Sequence, residues 1–178
     1  SYLHTYHTKL IMFASNFYNS HLEKFGGVEI LKFIQLMLKH DEIIRSYGLS
    51  DPRLEESWNE LTGAYAVKTF KVMMAMVLNV VENSRTDYNI DHSGKITSKS
   101  PIDLFKLMNT VVDSYSLCKT SLVLKSLVGL CYKLTNNFVT EYRTIVDHEI
   151  MDTEVFVAIT NASIEFVGGS RDFVHRVK

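Results

Sequence analysis

DYNIDHSGKITSKSP, residues 87–101, stands between two long apolar segments, and whether it is a ligand site or a turn decides how the chain is read. From Asn89 it nearly spells a calcium loop, with Asn89, Asp91 and Ser93 at alternate positions followed by Gly94, Ile96 and Thr97. The twelfth position is Ser100, where a bidentate Glu closes a calcium site, and Asp91 is the only carboxylate brought to a hard dication. Counting from Asp87 instead puts His92 where glycine makes the sharp turn. Gly94-Lys95 fails as a phosphate loop, because Ile96 follows it and no strand precedes it. The stretch reads as a polar interhelical connector. A calcium-responsive helical protein using residues 87–100 is the alternative from a different class.

Outward from this connector the chain is punctuated sparingly, with two prolines and eight glycines, so its segments are long. Between Tyr2 and Phe25, the residues Leu3, Tyr6, Leu10, Phe13, Phe17 and Tyr18 or His21 recur at spacings of three and four, which predicts one buried helical stripe. Gly26-Gly27 is expected to end it as left-handed caps. A second helix, to about Tyr47, carries Ile30, Leu31, Ile34 and Leu38 and stops at Gly48; so short a turn predicts antiparallel packing. Ser50-Asp51-Pro52, with Glu55 and Glu56, opens a third helix running to about Asn83.

Ser100-Pro101-Ile102-Asp103 repeats that start signal, Asp103 taking the capping-box place, for a helix to about Ser114. A fifth helix, from Leu117 to His148, carries Leu124, Leu127, Val128, Cys131, Leu134, Phe138 and Tyr142. A sixth starts near Asp152 and is capped or kinked at Gly168-Gly169. Only Val155 to Thr160 is β-branched enough to suggest a strand. The expected fold is all-α: long antiparallel helices in stacked bundles, part of an extended rod. One bundle portion spans residues 1–90, the connector 91–100, and a second portion 101–178.

Composition narrows function. With 46% hydrophobic residues the chain supports a continuous core, and 19 basic against 20 acidic residues leave no footprint for nucleic acid. The run from Val72 to Val81 reaches about half of the roughly twenty residues a membrane span needs, which predicts a buried helix face. Cys118 and Cys131 match no zinc spacing and read as core thiols in a reducing compartment. Beginning at Ser1 without a leader pattern, the chain reads as a piece of a longer cytosolic protein.

No chemistry assembles in the sequence. His4, His7 and His21 lack a further metal ligand at a recognisable spacing, and neither His40-Asp41-Glu42 nor His148-Glu149 completes His-Glu-x-x-His. Neither cysteine sits in a strained turn beside a base, and no Gly-x-Ser-x-Gly elbow occurs. Met73, Met74 and Met76, with Phe70 and Val77, fit a core better than an adaptable groove. The expectation is no enzyme, no cofactor and no metal, and a helical scaffold that offers surfaces to other proteins.

From Gly94 onward the sequence resembles the Sec-six-type exocyst subunits, the exocyst complex component three family. There a glycine is followed by a hydroxyl residue, then Pro, an aliphatic, Asp, Leu and Phe opening a helix; Gly94, Ser98, Ser100, Pro101, Ile102, Asp103, Leu104 and Phe105 match, continuing through Asn109. Glu154 to Asn161 is similar to a second family segment, although Ala162 stands where the family has Asp. The resemblance implies part of a helical rod in the complex that tethers secretory vesicles to the plasma membrane. Its partners would be other exocyst subunits and SNARE proteins with their regulators; its location would be cytoplasmic, peripheral to the membrane and not inserted. It brings no catalytic residues. Another helical adaptor or tethering-complex subunit would share the rod without the Pro101 to Phe105 helix start.

Overall fold

The computed structural model describes residues 2–49, 52–148 and 153–177. The described residues form six helices and one small hairpin: α1 (Tyr2–His21), α2 (Gly27–Ser46), α3 (Pro52–Asn83), β1 (Tyr88–Ile90), β2 (Ile96–Ser98), α4 (Ser100–Asp113), α5 (Ser121–His148) and α6 (Thr153–Val177). All-α is therefore the right class. Short 3-10 turns, Leu22–Lys24 and Ser114–Leu117, follow α1 and α4. The predicted cap residues Ser50 and Asp51, with Glu149, Asp152 and the side chains of Leu3 and Glu55, lie outside the described residues.

Contacts divide the chain into two compact units, residues 1–69 with 114–126 and residues 70–113 with 127–178, so α3 and α5 contribute to both. In the first unit α1 buries His7, Ile11, Ala14 and Tyr18, of which Tyr18 alone belongs to the predicted stripe. Tyr6, Phe13 and Phe17 of that stripe are exposed, and Leu10 is half-buried. The helix offers two apolar faces, and the one carrying the small Ala14 packs closely, with Ile11, against Met37, Phe33 and Trp58. On α2 the expected Ile30, Leu31 and Ile34 are buried, and the stripe continues through Met37 and Ile44.

The glycines between these helices act differently from expectation. Gly26 is not left-handed: with φ −77° and ψ 172° it is the extended N-cap of α2. Gly27 begins the helix, where an added Cβ would come within 3.1 Å of the Thr69 hydroxyl and 3.2 Å of the Tyr65 ring. At the other end Gly48 has φ +75°. Its amide donates to Arg45 and that of Leu49 to Ile44, the paired bonds of a Schellman cap.

In the second unit α6 packs on both β2 and α4. Leu104, Met108 and Val111 of α4, Leu127, Leu134 and Phe138 of α5, and Ala158, Ile159 and Ala162 of α6 are buried. Burying side chains of Leu or Phe size contributes about 1.5–3 kcal/mol each relative to exposure. Val128, predicted on the α5 stripe, is instead 48% exposed, one step off the buried face. Val155 to Thr160 is helical, and Gly168-Gly169 neither caps nor breaks α6.

The largest departure lies in the opening stretch. It is a hairpin, with Tyr88 opposite Ser98, Asn89 opposite Thr97 and Ile90 opposite Ile96. Three residue pairs are too few to produce a legible alternation.

Candidate interaction surface

The hairpin turn is organised by one carboxylate. Asp91 Oδ1 accepts from the Ser93 amide at 2.8 Å, the Ser93 hydroxyl at 2.6 Å and the Lys95 amide at 3.0 Å. Gly94, at φ +79°, donates its amide to the Asp91 carbonyl, and the Asp91 amide donates back to Lys95. These bonds, the Ser93 hydroxyl first, hold the Asp91 carboxyl below its ordinary value of 3.8. Asp91 Oδ1 is thus engaged by its own turn, and among the described residues no group of three or more His, Cys, Asp or Glu is placed to hold a metal.

From the hairpin the chain enters α4 by a different cap from the expected one. The hydroxyl of Ser98, not Ser100, accepts the Ser100 amide at 3.2 Å, and the two hydroxyls lie 2.7 Å apart. Pro101 is buried in the first turn, where its missing donor costs nothing. Asp103 makes no capping box; its amide donates to the Lys99 carbonyl and its carboxylate takes Lys106 Nζ at 2.8 Å.

The two stretches that carry the family resemblance meet here. Asn161 Nδ2 donates to the Ile96 carbonyl at 2.6 Å, the Tyr88 hydroxyl donates to Glu154 at 2.7 Å, and Lys95 lies 3.4 Å from Glu165. Leu104 is fully buried, whereas Phe105 stacks on Phe166 at 5.6 Å and meets Phe173 at 6.3 Å. Phe166 continues onto Phe138, and Phe138 onto Tyr142. Where α6 crosses Phe105 the helix residue is Gly169, and a Cβ there would fall on the ring. Beside this crossing opens a cavity of about 370 Å³, lined by Ile102, Phe105, Phe173, Lys106 and Asp172. Its apolar floor and oppositely charged rim suit an apolar side chain flanked by polar groups.

Other candidate residues are dispersed. His7 and His40 stack with ring centres 5.3 Å apart and share a hydrogen bond of 3.0 Å, an arrangement periodicity could not reveal because it joins different helices. His21 hydrogen-bonds the Phe17 carbonyl within α1, and His4 is exposed. Both cysteines are free and buried, and burial pushes the Cys131 thiol up to about 11.

The apolar run of α3 is not a buried face. Val77 and Val81 are buried, but Val72, Met76 and Leu78 are 55%, 42% and 44% exposed, and Met73 and Met74 are half-buried. The stretch Glu56–Asn83 is long and apolar enough to cross a membrane by length and composition alone, its most apolar window having mean hydropathy 1.4 and 17% of its residues buried. Apolar exposure recurs at Tyr2, Tyr6, Phe13 and Phe17 of α1 and at Phe156, Ile164, Val167 and Val174 of α6. No family model matches the chain, and neither a curated protein nor a solved structure matches it.

Proposed function

We propose that this chain is a helical piece of an exocyst-type tethering subunit, acting by protein contact rather than by chemistry. One observation carries the reading. The two sequence stretches that resemble the family, Gly94 to Asn109 and Glu154 to Asn161, are joined through the Asn161 amide and the Ile96 carbonyl. A resemblance arising separately at two places has no reason to link them. Apolar side chains left exposed along α1, α3 and α6 support a module that packs against further protein, as patches of this kind do on interacting surfaces.

In this reading the helices hold binding surfaces at fixed separations within a longer rod, and the partners are other exocyst subunits with SNARE proteins and their regulators. The chain works in the cytoplasm, at the periphery of secretory vesicles and the plasma membrane. Affinity purification of the full-length parent from a cell extract tests this. Co-purification of other exocyst subunits is expected; recovery of none overturns the assignment.

A further inference from the structure

In the first unit a second cavity, of about 400 Å³, opens among α2, α3 and the start of α5. Its size falls within the range of small-ligand sites. Its lining is apolar at Ile34, Leu38 and Leu122 and cationic at Arg45 and Lys125; among the described residues no acidic one lines it. Arg45 spends its Nε on the buried Asp41 at 2.5 Å, which leaves its terminal nitrogens as donors.

Two further features of this cavity point to a ligand. Thr120 and Ser121 bring the N-terminus of α5 to the wall. The Thr120 hydroxyl caps the Val123 amide at 3.1 Å, and the amides of Ser121 and Leu122 precede that of Leu124, the first to donate along the helix, to the Thr120 carbonyl. A helix start of this kind favours an anion. Independently, Thr62, 1% exposed, and Trp58 both line the cavity, and the Thr62 hydroxyl and the Trp58 indole N–H are buried without a hydrogen-bond partner. Burying such groups unpaired is costly, and two of them in the lining of one cavity are accounted for by a bound group that pairs with them.

We propose that this cavity binds a carboxylate carried on an apolar body. The carboxylate lies between Lys125, Arg45 and the start of α5, and the aliphatic part against Ile34, Leu38 and Leu122. The inference is independent of the tethering assignment. A carboxylate of this kind is presented either by a free aliphatic acid or by the C-terminus of a polypeptide ending in an aliphatic residue.

Trp58 is the single tryptophan and lines the cavity, so its fluorescence responds to occupation there. The full chain is titrated with octanoate, with N-acetyl-dileucine as the free acid, and with the corresponding amide. A saturable change with at least one acid is expected, about tenfold weaker for the amide and weakened by salt. Binding of octanoate alone identifies a free acid, of the dipeptide alone a chain terminus, and of both an unselective carboxylate site. Lys125 is exposed, so Lys125→Glu folds normally and loses about tenfold or more in affinity. Thr62→Val, checked for an unchanged circular dichroism spectrum, loses about tenfold if its hydroxyl pairs with the ligand. Equal binding of acid and amide, an unaltered affinity in Lys125→Glu, or an unresponsive Trp58 overturns the proposal.

Discussion

The side-chain amide of Asn161, on α6, donates to the backbone carbonyl of Ile96, on β2, across 2.6 Å. A three-residue strand pair has little stability of its own, so this bond ties the hairpin to a helix that does. Asn161→Ala is expected to cost about 1–2 kcal/mol, since the carbonyl loses its side-chain donor in a half-buried place. Asn161→Asp costs at least as much at neutral pH, because an ionised carboxylate has no proton to donate and faces an oxygen. Urea denaturation measures both, and hydrogen exchange in residues 88–98 should accelerate before that of α4.

Gly168 and Gly169 are neighbours in one helix with opposite constraints. A Cβ at Gly168 meets nothing within 4 Å, whereas one at Gly169 falls on the Phe105 ring. Alanine is favoured over glycine within a helix by about 1 kcal/mol. Gly168→Ala therefore stabilises by up to about that amount. Gly169→Ala destabilises by about 1–3 kcal/mol, the cost of overpacking exceeding the helical gain. Thermal melting of the two variants, shifting in opposite directions, checks the crossing.

The same residues show what sequence can carry. Helix class, and the bounds of α3, were legible because apolar spacing and terminators such as Pro52 and Gly48 act locally. The buried face of α1 was not: Phe13 and Phe17 outweigh Ala14 in hydrophobicity, yet close approach to Met37 selects the smaller side chain. Gly168-Gly169 read as a stop because the helical cost of glycine is local, while the reason for Gly169 is an aromatic ring on another helix. Nor could periodicity place the His7–His40 stack or the cavity at Trp58, which arise from residues far apart in the chain. The connector was correctly polar and correctly closed by Gly94, but its strands were too short to announce themselves.

Asp91 gives the turn a pH signature. Its folded-state carboxyl is held below 3.8 by the Ser93 hydroxyl and by the Lys95 and Ser93 amides. The unfolded state therefore binds the proton first, and the contribution of the carboxylate is complete above the ordinary carboxylate range and lost as pH falls through the lowered value. Carboxyl chemical shifts followed by NMR should show Asp91 titrating below 3.8. Asp91→Ala should loosen residues 91–95 while leaving the helices intact, and calcium should not restore them.

Tyr142 ends the aromatic chain from Phe105, stacking on Phe138 at 4.6 Å with its hydroxyl buried and without a hydrogen-bond partner. Removing that oxygen removes an unpaired polar group and retains the ring contacts. Tyr142→Phe is expected to be neutral or stabilising by up to about 1 kcal/mol, and Tyr142→Ala to cost about 3–5 kcal/mol. Denaturant midpoints distinguish the two, and a loss in Tyr142→Phe would mean that the hydroxyl has an acceptor.

His40 makes the first unit sensitive to mild acid. Burial chiefly, and then the adjacent His7, lower its pKa from 6.5 against the opposing pull of Asp41, itself paired with Arg45. The group is a base favoured neutral in the fold, so between its unfolded and folded values the unfolded chain binds more protons. Stability then declines as pH falls from about 6.5 through the folded value. The urea midpoint should be lower at pH 5 than at pH 7.5. In His40→Gln, which keeps a hydrogen-bonding group toward His7 but cannot take up a proton, the decline should flatten. An equal decline in that variant would assign the sensitivity to other groups, because the stacked pair would then contribute no proton uptake of its own.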